Sequence, residues 1–367
     1  MDRRKFIFSS LGFAGTVRFQ LAQLGSKTLG IEDGIHALAT PKRGIALTYA
    51  NDLVMDGAGA QLQRIYGIYA ASRALGLPYV HSPLLKIGYQ GLVSLEANSY
   101  IPGLEESYNR IFTIPSDIKL PKDVTTQFIE APSSKDLEDL ENKAIKDDAF
   151  ILVRIVMPYK ITDWNPAVYD CLKGISPFRR SEGGPFRVAI HVRRGELHVV
   201  DQQRMLPNSY YIAATKRIVS ALGAKGVPFA CDLYTETPSE TLRVTSHSPG
   251  LKGRVKNVVT IDPSVDQLED FKVLPNLSMH INGDPIDAMR GMATADALII
   301  SQSSFSYLPA LFNDGIIVYH PFWHRALKGW LVTDDAGSFS DSALDEHLNS
   351  WLATSRGRAL QNLRRDK

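Results

Sequence analysis

Two adjacent arginines follow an apolar run directly in the segment FRVAIHVRRGE. The run is Phe186–Val192, Arg193 and Arg194 come next, and Glu196 stands two residues further on. A guanidinium group suits phosphate because its planar N–H donors match two phosphate oxygens at once. The spacing therefore predicts a phosphate-binding site at the end of a strand. A solvated salt bridge, such as Arg194 with Glu196, is the alternative interpretation.

A second candidate anion site lies in ALIISQSSFSYLPALF. An apolar strand, Ala297–Ile300, ends there in serine-rich residues, and a helix begins near Ser303 and Ser304. Free backbone N–H groups and hydroxyls at a helix N-terminus bind anions. Simple capping of that helix by Ser303 is the alternative. Arginines after one strand and serines after another together predict a diphosphate site better than either motif alone.

A glycine-containing loop, DGAGAQ at residues 56–61, also follows a strand and opens a helix. It lacks the third glycine of a dinucleotide-binding fingerprint, and no acidic residue closes the following strand. We expect the loop to bring backbone close to a ligand, because glycine leaves room for that approach.

Composition and motifs exclude several classes of protein. The chain has no Asp-x-Asp pair and two cysteines, too few for a disulfide framework, a four-cysteine zinc site or an iron–sulfur cluster. His320 and His324 are four residues apart, but Pro321 and the missing neighbouring glutamate disfavour a zinc-protease motif. We therefore expect no metal site and no cofactor besides a donor substrate. A net charge of +2 and the lack of any long apolar run predict no nucleic-acid partner and no transmembrane helix.

Short apolar runs alternating with amphipathic segments position these motifs. The predicted strands are residues 43–50, 78–81, 149–156, 186–192, 229–235, 257–261, 297–300 and 315–320. The predicted helices are residues 60–75, 135–146, 208–222, 238–244, 284–294 and 303–312. The alternation is typical of doubly wound parallel sheets, in which ligands bind beyond the carboxyl ends of the strands.

Four segments are predicted along the chain. They are a leader or signal (1–39), an N-terminal Rossmann-like domain (40–175), a C-terminal Rossmann-like domain (176–335) and a helical tail (336–367), with the domain boundary in the loop ISPFRRSEGGP. Arg3 and Arg4 before an apolar stretch resemble a twin-arginine export signal, with a candidate cleavage site at residues 37–39. The favoured interpretation is a basic leader on a cytoplasmic protein, with membrane association left open.

Three segments in this order resemble motifs of the GT-B fucosyltransferase superfamily, which includes the α-1,2-, α-1,6- and protein O-fucosyltransferases. They are DGAGAQLQRIYGIYAASRAL, IHVRRGE and DPIDAMRGMATADALIISQSSFS, which cover 50 residues. Two positions depart from the family pattern, because Ala60 replaces an asparagine and Glu196 replaces an aspartate. The resemblance implies an α/β fold of the GT-B type, with two Rossmann-like domains whose parallel sheets face each other across a cleft.

The same resemblance implies an inverting, metal-independent glycosyltransferase that moves a sugar, fucose above all, from a GDP-sugar to a glycan or other hydroxyl acceptor. Another nucleotide sugar as donor, or a catalytically silent nucleotide- or glycan-binding protein, are the alternatives. The donor-binding residues that it implies are His191 beside guanosine, Arg193 or Arg194 on the diphosphate, Asp284 or Asp287 on guanine, Ser303 and Ser304 on phosphate or ribose, and Gly57, Gly59 and Gln61 in the first motif.

Catalysis needs a fixed positive charge for the departing diphosphate and a base for the acceptor hydroxyl. Arg193 and Arg194 supply the charge in this interpretation. Glu196 is the favoured base because of its place in the motif, with His198 and Asp56 as the other candidates. Aromatic side chains that suit stacking on an acceptor sugar are Tyr89, Tyr100, Tyr108 and Trp164, with burial in a core as their alternative role.

Overall fold

Two parallel sheets carry the chain. The computed structural model describes residues 39–92, 101–163, 165–181, 183–247 and 256–365, all of them in one unit. The predicted leader, except residue 39, lies outside the described residues, as do Tyr100 and Trp164. We call residues 39–175 the first lobe and residues 176–365 the second lobe.

The first lobe contains a three-stranded parallel sheet. Its order is β1 (Gly44–Tyr49), β3 (Phe150–Ile155) and β2 (Thr125–Ile129). Strand β1 is buried along its whole length, which matches its nearly continuous apolar sequence, GIALTY. The predicted strand at residues 78–81 is reduced to a single bridge from Tyr79 to Leu47.

Helices cover this sheet and one of them connects it to the second lobe. They are α1 (Ala58–Leu75), α2 (Leu104–Ile111), α3 (Ser134–Lys146), α4 (Tyr159–Thr162) and a 3₁₀ segment (Pro166–Ile175). Helix α1 is buried on nearly all sides because Tyr66 also packs edge-on against Phe312 of the second lobe, with ring centroids 4.8 Å apart. It ends at Gly76, whose φ of 68° favours glycine.

The second lobe contains a six-stranded parallel sheet. Its order is β11 (Leu331–Val332), β10 (Ile316–Tyr319), β9 (Ala297–Ile299), β4 (Phe186–Val192), β5 (Phe229–Thr235) and β8 (Leu277–Ile281). Strand β4 is central, as its apolar sequence predicts, so the residues that follow Val192 emerge in the middle of the carboxyl edge.

Helices pack on both faces of the six-stranded sheet. They are α5 (Leu197–Val200), α6 (Asn208–Ala224), α7 (Pro285–Ala293), α8 (Ser304–Phe312), α9 (Asp341–Leu352) and α10 (Ser355–Arg365), with 3₁₀ segments at Gln202–Arg204 and Leu268–Val273. One apolar core lies between this sheet, α6 and α9; the other is continuous with the core of the first lobe through α1 and α8. None of the described helices is long and apolar enough to cross a bilayer.

The last two helices are docked on the second lobe rather than solvated. Asp296, which is fully buried just before β9, accepts hydrogen bonds from Trp351 Nε1 (3.1 Å) and Arg356 Nη2 (3.0 Å). The same carboxylate accepts from the backbone N–H of Arg187 at 2.9 Å, at the start of β4. One buried charge therefore joins two strands to the C-terminal helices.

One predicted helix is wrong. Residues 238–244 were expected to be helical, but Leu242–His247 form strand β6, which pairs antiparallel with β7 (Lys256–Ile261). Burial outweighs local propensity here, since Leu242 and Val244 pack with Leu92 of the first lobe. This two-stranded ribbon is separate from the main sheet, so the strand predicted at residues 257–261 exists without joining it.

The remaining architecture confirms the predicted fold class, an α/β chain with two Rossmann-like parallel sheets. Strands β2 and β8 were not predicted, because TTQFI and LSMHI are largely exposed and lack a continuous apolar run. The predicted domain boundary near residue 176 falls between Ile175 and Phe186, in the segment that connects the two sheets.

Candidate functional site

A cavity of about 1020 Å³ lies between the two lobes, at the carboxyl ends of the strands of the second sheet. Its lining includes the ends of β4, β5 and β8 and the first residues of α1, α7 and α8. Helix N-termini carry a partial positive charge, so three of them around one cavity favour an anionic ligand. The cleft between two parallel sheets completes the GT-B-like arrangement.

Arg193 faces this cavity from the end of β4. Its backbone N–H donates to Ser301 Oγ at 2.9 Å, and its guanidinium forms an ion pair with Glu196. The guanidinium carbon lies 5.5 Å from the ring centre of Tyr89, in the first lobe. Burial disfavours the charge, but the carboxylates of Glu196 and Glu236 hold the pKa of Arg193 above its ordinary value. The group therefore stays charged beside the cavity.

Arg194 also lines the cavity, but its guanidinium is held by partners within the second lobe. Its Nε lies 3.2 Å from Asp266 Oδ1, and its Nη2 donates to Asn208 Oδ1 at 2.6 Å. The expected pair of Arg194 with Glu196 is therefore wrong, since Arg193 pairs with Glu196 and Arg194 with Asp266. Side chains of neighbouring strand residues point to opposite sides, which separates the two arginines.

His198 does not line the cavity. Its ring is buried, and Nε2 lies 2.8 Å from Asp266 Oδ1, the oxygen that Arg194 also contacts. The structure therefore places His198, a candidate base, away from the cavity and in the network that braces the strand end. Asp56 does line the cavity, where it pairs with Arg64 at 2.8 Å.

His191 is buried at the cavity wall, with 4% of its surface exposed. Burial and the positive charges of Arg193 and Arg194 lower its pKa to about 3, so the ring is neutral at physiological pH. Its ring centre lies 5.4 Å from that of Phe305, and its Nδ1 has no hydrogen-bond partner. A neutral ring with one unpartnered nitrogen suits a hydrogen bond to a ligand.

Two serines form the start of α8. Ser303 caps the helix, with its Oγ accepting from the backbone N–H of Phe305 at 3.2 Å. Ser304 Oγ lies 3.1 Å from Nε2 of His324, which is almost fully buried. Capping and ligand binding are compatible for Ser303, because both serines also line the cavity.

The glycine loop at the start of α1 meets the start of α8. Gly57 and Gly59 line the cavity, and α1 begins without a side-chain cap. Gln61 does not line it: the side chain is fully buried, and its Nε2 donates to the carbonyl oxygens of Asp56 and Lys86, both at 2.7 Å. The side chain of Gln61 therefore lies outside the cavity wall, where it fixes the loop that carries the glycines.

Asp284 and Asp287 line the cavity from the start of α7. Asp284 caps the helix, with Oδ1 accepting from the backbone N–H groups of Ile286 (2.8 Å) and Asp287 (2.9 Å). Asp287 has 66% of its side chain exposed and pairs with Arg290. Both carboxylates remain candidates for accepting hydrogen bonds from guanine. Asp287 is the freer of the two, because it does not cap the helix.

Sequence reasoning missed two further arginines of the cavity. Arg64, on α1, is almost fully buried beside Asp56, and its Nη1 has no hydrogen-bond partner. The guanidinium of Arg204 lies over the ring of Trp323, 4.4 Å from its centre. The available signal for Arg64 was its place in the segment DGAGAQLQR, close to the predicted ligand-binding loop. Arg204 had none, because Trp323 is distant in sequence.

A glutamate that follows β5 was also missed. Glu236 lines the cavity, and its Oε2 accepts a 2.7 Å hydrogen bond from the Tyr89 hydroxyl. Tyr89 and Tyr108, two of the aromatic residues proposed for the acceptor, do line the cavity, although Tyr108 is only 2% exposed.

Metal-ligating side chains are dispersed. Across the described ranges, no three His, Cys, Asp or Glu residues are close enough to hold an ion together. His320 and His324 belong to different contacts, with His320 3.0 Å from Asp335 and His324 beside Ser304.

Comparison with known proteins finds similarity only among solved structures. No family model matches the sequence, and no curated protein is significantly similar to it. POFUT1 in complex with GDP is 14% identical, with a TM-score of 0.38, over 76% of this chain and 96% of that one. POFUT1 in complex with GDP-fucose is 13% identical, with a TM-score of 0.37, over 76% of this chain and 96% of that one. The glycotransferase of kitacinnamycin is 13% identical, with a TM-score of 0.27, over 89% of this chain and 95% of that one. The likeness is one of fold at most, and no donor, acceptor or mechanism follows from it.

Proposed function

We propose that this chain is an inverting, metal-independent glycosyltransferase that moves a sugar, fucose, from a GDP-sugar to an acceptor hydroxyl. One observation carries the proposal above the others. Arg193 stands at the carboxyl end of the central strand β4, in the cavity onto which α1 and α8 open their N-termini. Fixed positive charge in a cleft suits a leaving diphosphate, because negative charge grows there as the glycosidic bond breaks.

The donor would lie against the second lobe. Its diphosphate would bind Arg193 and the start of α8, where Ser303 and Ser304 lie. The neutral ring of His191 would contact the guanosine. Asp287, or Asp284 beside it, would accept hydrogen bonds from the guanine N–H groups. Arg194 contributes indirectly in this proposal, by bracing the strand end that presents Arg193.

The acceptor would enter from the first lobe. Its hydroxyl oxygen attacks the anomeric carbon from the face opposite the diphosphate, and the bond from that carbon to the phosphate oxygen breaks. The electron pair leaves with the diphosphate, beside Arg193, and the hydroxyl proton passes to a base. Tyr89 offers an aromatic face at this side of the cavity.

A nucleotide panel tests the proposal. We expect GDP to raise the melting temperature more than UDP does, because a ligand of the native state adds RT ln(1 + [L]/Kd) to stability. We also expect slow release of free fucose from GDP-fucose. Stabilisation by UDP and not GDP would assign another nucleotide sugar. GDP binding without any sugar release would instead favour a silent binding protein, for which Ala60 in the cavity wall is the supporting observation.

A further inference from the structure

A carboxylate that spans the cleft is unexplained by the donor site. Glu236 follows the carboxyl end of β5 in the second lobe, and its Oε2 accepts from the hydroxyl of Tyr89 in the first lobe. Burial and the neighbouring carboxylate raise the pKa of Tyr89, so that its hydroxyl remains a donor. The carboxylate is thus held at the side of the cavity that faces the first lobe.

The Glu236 carboxylate lies against Gly195, where the absence of a side chain leaves room for it. Gly195 has a φ of 59°, and a Cβ built on it would lie 2.5 Å from Glu236 Oε2 and 2.9 Å from the Tyr89 hydroxyl oxygen. The glycine after the two arginines therefore does more than turn the chain. It admits the Glu236 carboxylate beside the residues that face the diphosphate.

The two carboxylates nearest Arg193 are not equivalent. Glu196 forms an ion pair with Arg193, whereas no ion pair within 4.0 Å joins Glu236 to it. A proton added to Glu196 would break that pair and release the arginine that the departing diphosphate needs. A proton added to Glu236 leaves the pair intact, so Glu236 is the better acceptor of a proton during the reaction.

We propose that Glu236 is the general base, which takes the proton of the acceptor hydroxyl as its oxygen bonds to the anomeric carbon. This rests on the proposed function and replaces Glu196 in that role. The groups that face Glu236 are Tyr89, Tyr108, Arg193 and Glu196. Burial raises the pKa of Glu236 above its ordinary value, against the opposing effects of Arg193 and the Tyr89 hydrogen bond. A raised pKa moves a carboxylate towards neutral pH, where a base transfers protons most effectively.

The first experiment uses GDP-fucose hydrolysis, with water as acceptor. We expect Glu236→Gln to lower the rate by about 10²-fold, the lower end for loss of a general base, and to leave GDP affinity within twofold of the wild type. Glu240→Gln, an exposed glutamate four residues further along, is the matched control and should hydrolyse the donor normally. If Glu236→Gln hydrolyses it at the wild-type rate while Glu196→Gln does not, the assignment is overturned in favour of Glu196.

The second experiment uses azide, a nucleophile that has no proton to lose. Glu236→Ala in the presence of azide should form fucosyl azide of inverted configuration, at a rate well above its own hydrolysis. Failure of azide to accelerate sugar transfer would show that Glu236 acts by holding the cleft, and would overturn its role as base. Wild-type protein that neither binds GDP nor hydrolyses GDP-fucose would instead reject the proposed function itself.

The pH profile gives a third, independent readout. Tyr89→Phe removes a hydrogen bond that stabilises the charged form of Glu236, so the pKa of that carboxyl should rise further. The acid limb of the hydrolysis rate should accordingly shift to higher pH. An unmoved acid limb, with intact GDP affinity, would contradict the assignment.

Discussion

Gly59 approaches Phe305 so closely that a Cβ built on the glycine would lie 2.6 Å from the Cα of Phe305. The first belongs to α1 and the second to α8, so this contact sets the distance between the two helix N-termini at the cavity. Backbone atoms cannot yield as the end of a flexible side chain can, and a methyl group here must push the helices apart.

The variant Gly59→Ala should therefore lose stability and GDP affinity together. Overpacking of this kind costs about 1–3 kcal/mol, which thermal unfolding would show as a lowered melting temperature. Gly57→Ala is the matched control, because the nearest atom to its added Cβ, in Tyr89, is 3.9 Å away and its φ is −62°. Equal melting temperatures for the two variants would mean that α1 and α8 are free to move.

Alanine in place of each arginine should separate chemistry from stability. Arg193→Ala should lower donor turnover by about 10²–10³-fold, since it removes a donor to the leaving group. Arg194→Ala should instead lower the melting temperature, because it leaves Asp266, 1% exposed, without its cation; breaking such a pair costs about 3–5 kcal/mol. Calorimetry measures the melting temperature of each variant, and GDP titration of the folded protein measures its affinity. The assignment of the donor site fails if neither variant binds GDP more weakly than the wild type does.

Two aspartates of α7 should differ in the same way. Asp287→Asn should reduce the preference for GDP over UDP while the melting temperature stays nearly constant, because this exposed residue makes only an ion pair with Arg290. Asp284→Asn replaces one good cap by another and tests the alternative acceptor of the guanine N–H groups, whereas Asp284→Ala should cost about 1 kcal/mol of stability. If the wild type bound GDP and UDP equally, neither aspartate would be the residue that recognises guanine.

The buried histidines predict how stability depends on pH. Burial lowers the pKa of His324 to about 3, with a contribution from Arg64, against about 6.5 in an unfolded chain. The unfolded state therefore binds more protons between these values, and stability present above pH 6.5 is lost as the pH falls towards 3. The slope approaches about 1.4 kcal/mol per pH unit for such a residue. His191 acts in the same direction.

Urea unfolding at pH 7, 6 and 5 measures that slope. His324→Gln should flatten it, whatever its effect at pH 7. A wild-type free energy of unfolding that stays constant from pH 7 to pH 5 would contradict the neutral state of these rings.

Chelation tests how the diphosphate is held. If Arg193 and the helix N-termini supply the positive charge, turnover of GDP-fucose should continue in excess EDTA. Loss of turnover in EDTA, followed by recovery with Mn²⁺, would show that a metal ion supplies it instead.

Local pattern was sufficient for the strand that presents the arginines and for the start of α7. Five of the seven residues of Phe186–Val192 are apolar, and Asp284 before Pro285 marks a helix start, so both are visible in short windows of sequence. The partners of the arginines were not visible. Which arginine meets Glu196 depends on the direction that each side chain takes at the strand end, which is a matter of tertiary packing.

Glu236 shows why the rest of the site was missed. Its neighbour Tyr89 is 147 residues away in the chain, and no local motif surrounds either residue. Strands β2 and β8 were missed for a related reason, since the half-exposed edges of a sheet need no apolar run. A contact between residues of the two lobes leaves no local pattern in the sequence of either lobe.

The burial of Asp296 has a consequence for the order in which the second lobe folds. Its carboxylate is desolvated between β4 and β9, and Trp351 and Arg356 provide two of its hydrogen bonds. Removing a partner of a buried charge costs several kcal/mol, even though Arg180 also lies 3.4 Å from this carboxylate, so the second sheet gains its full stability only when those residues are present. The second lobe should therefore resist proteolysis only after α9 and α10 have docked, so that their docking completes its folding rather than following it.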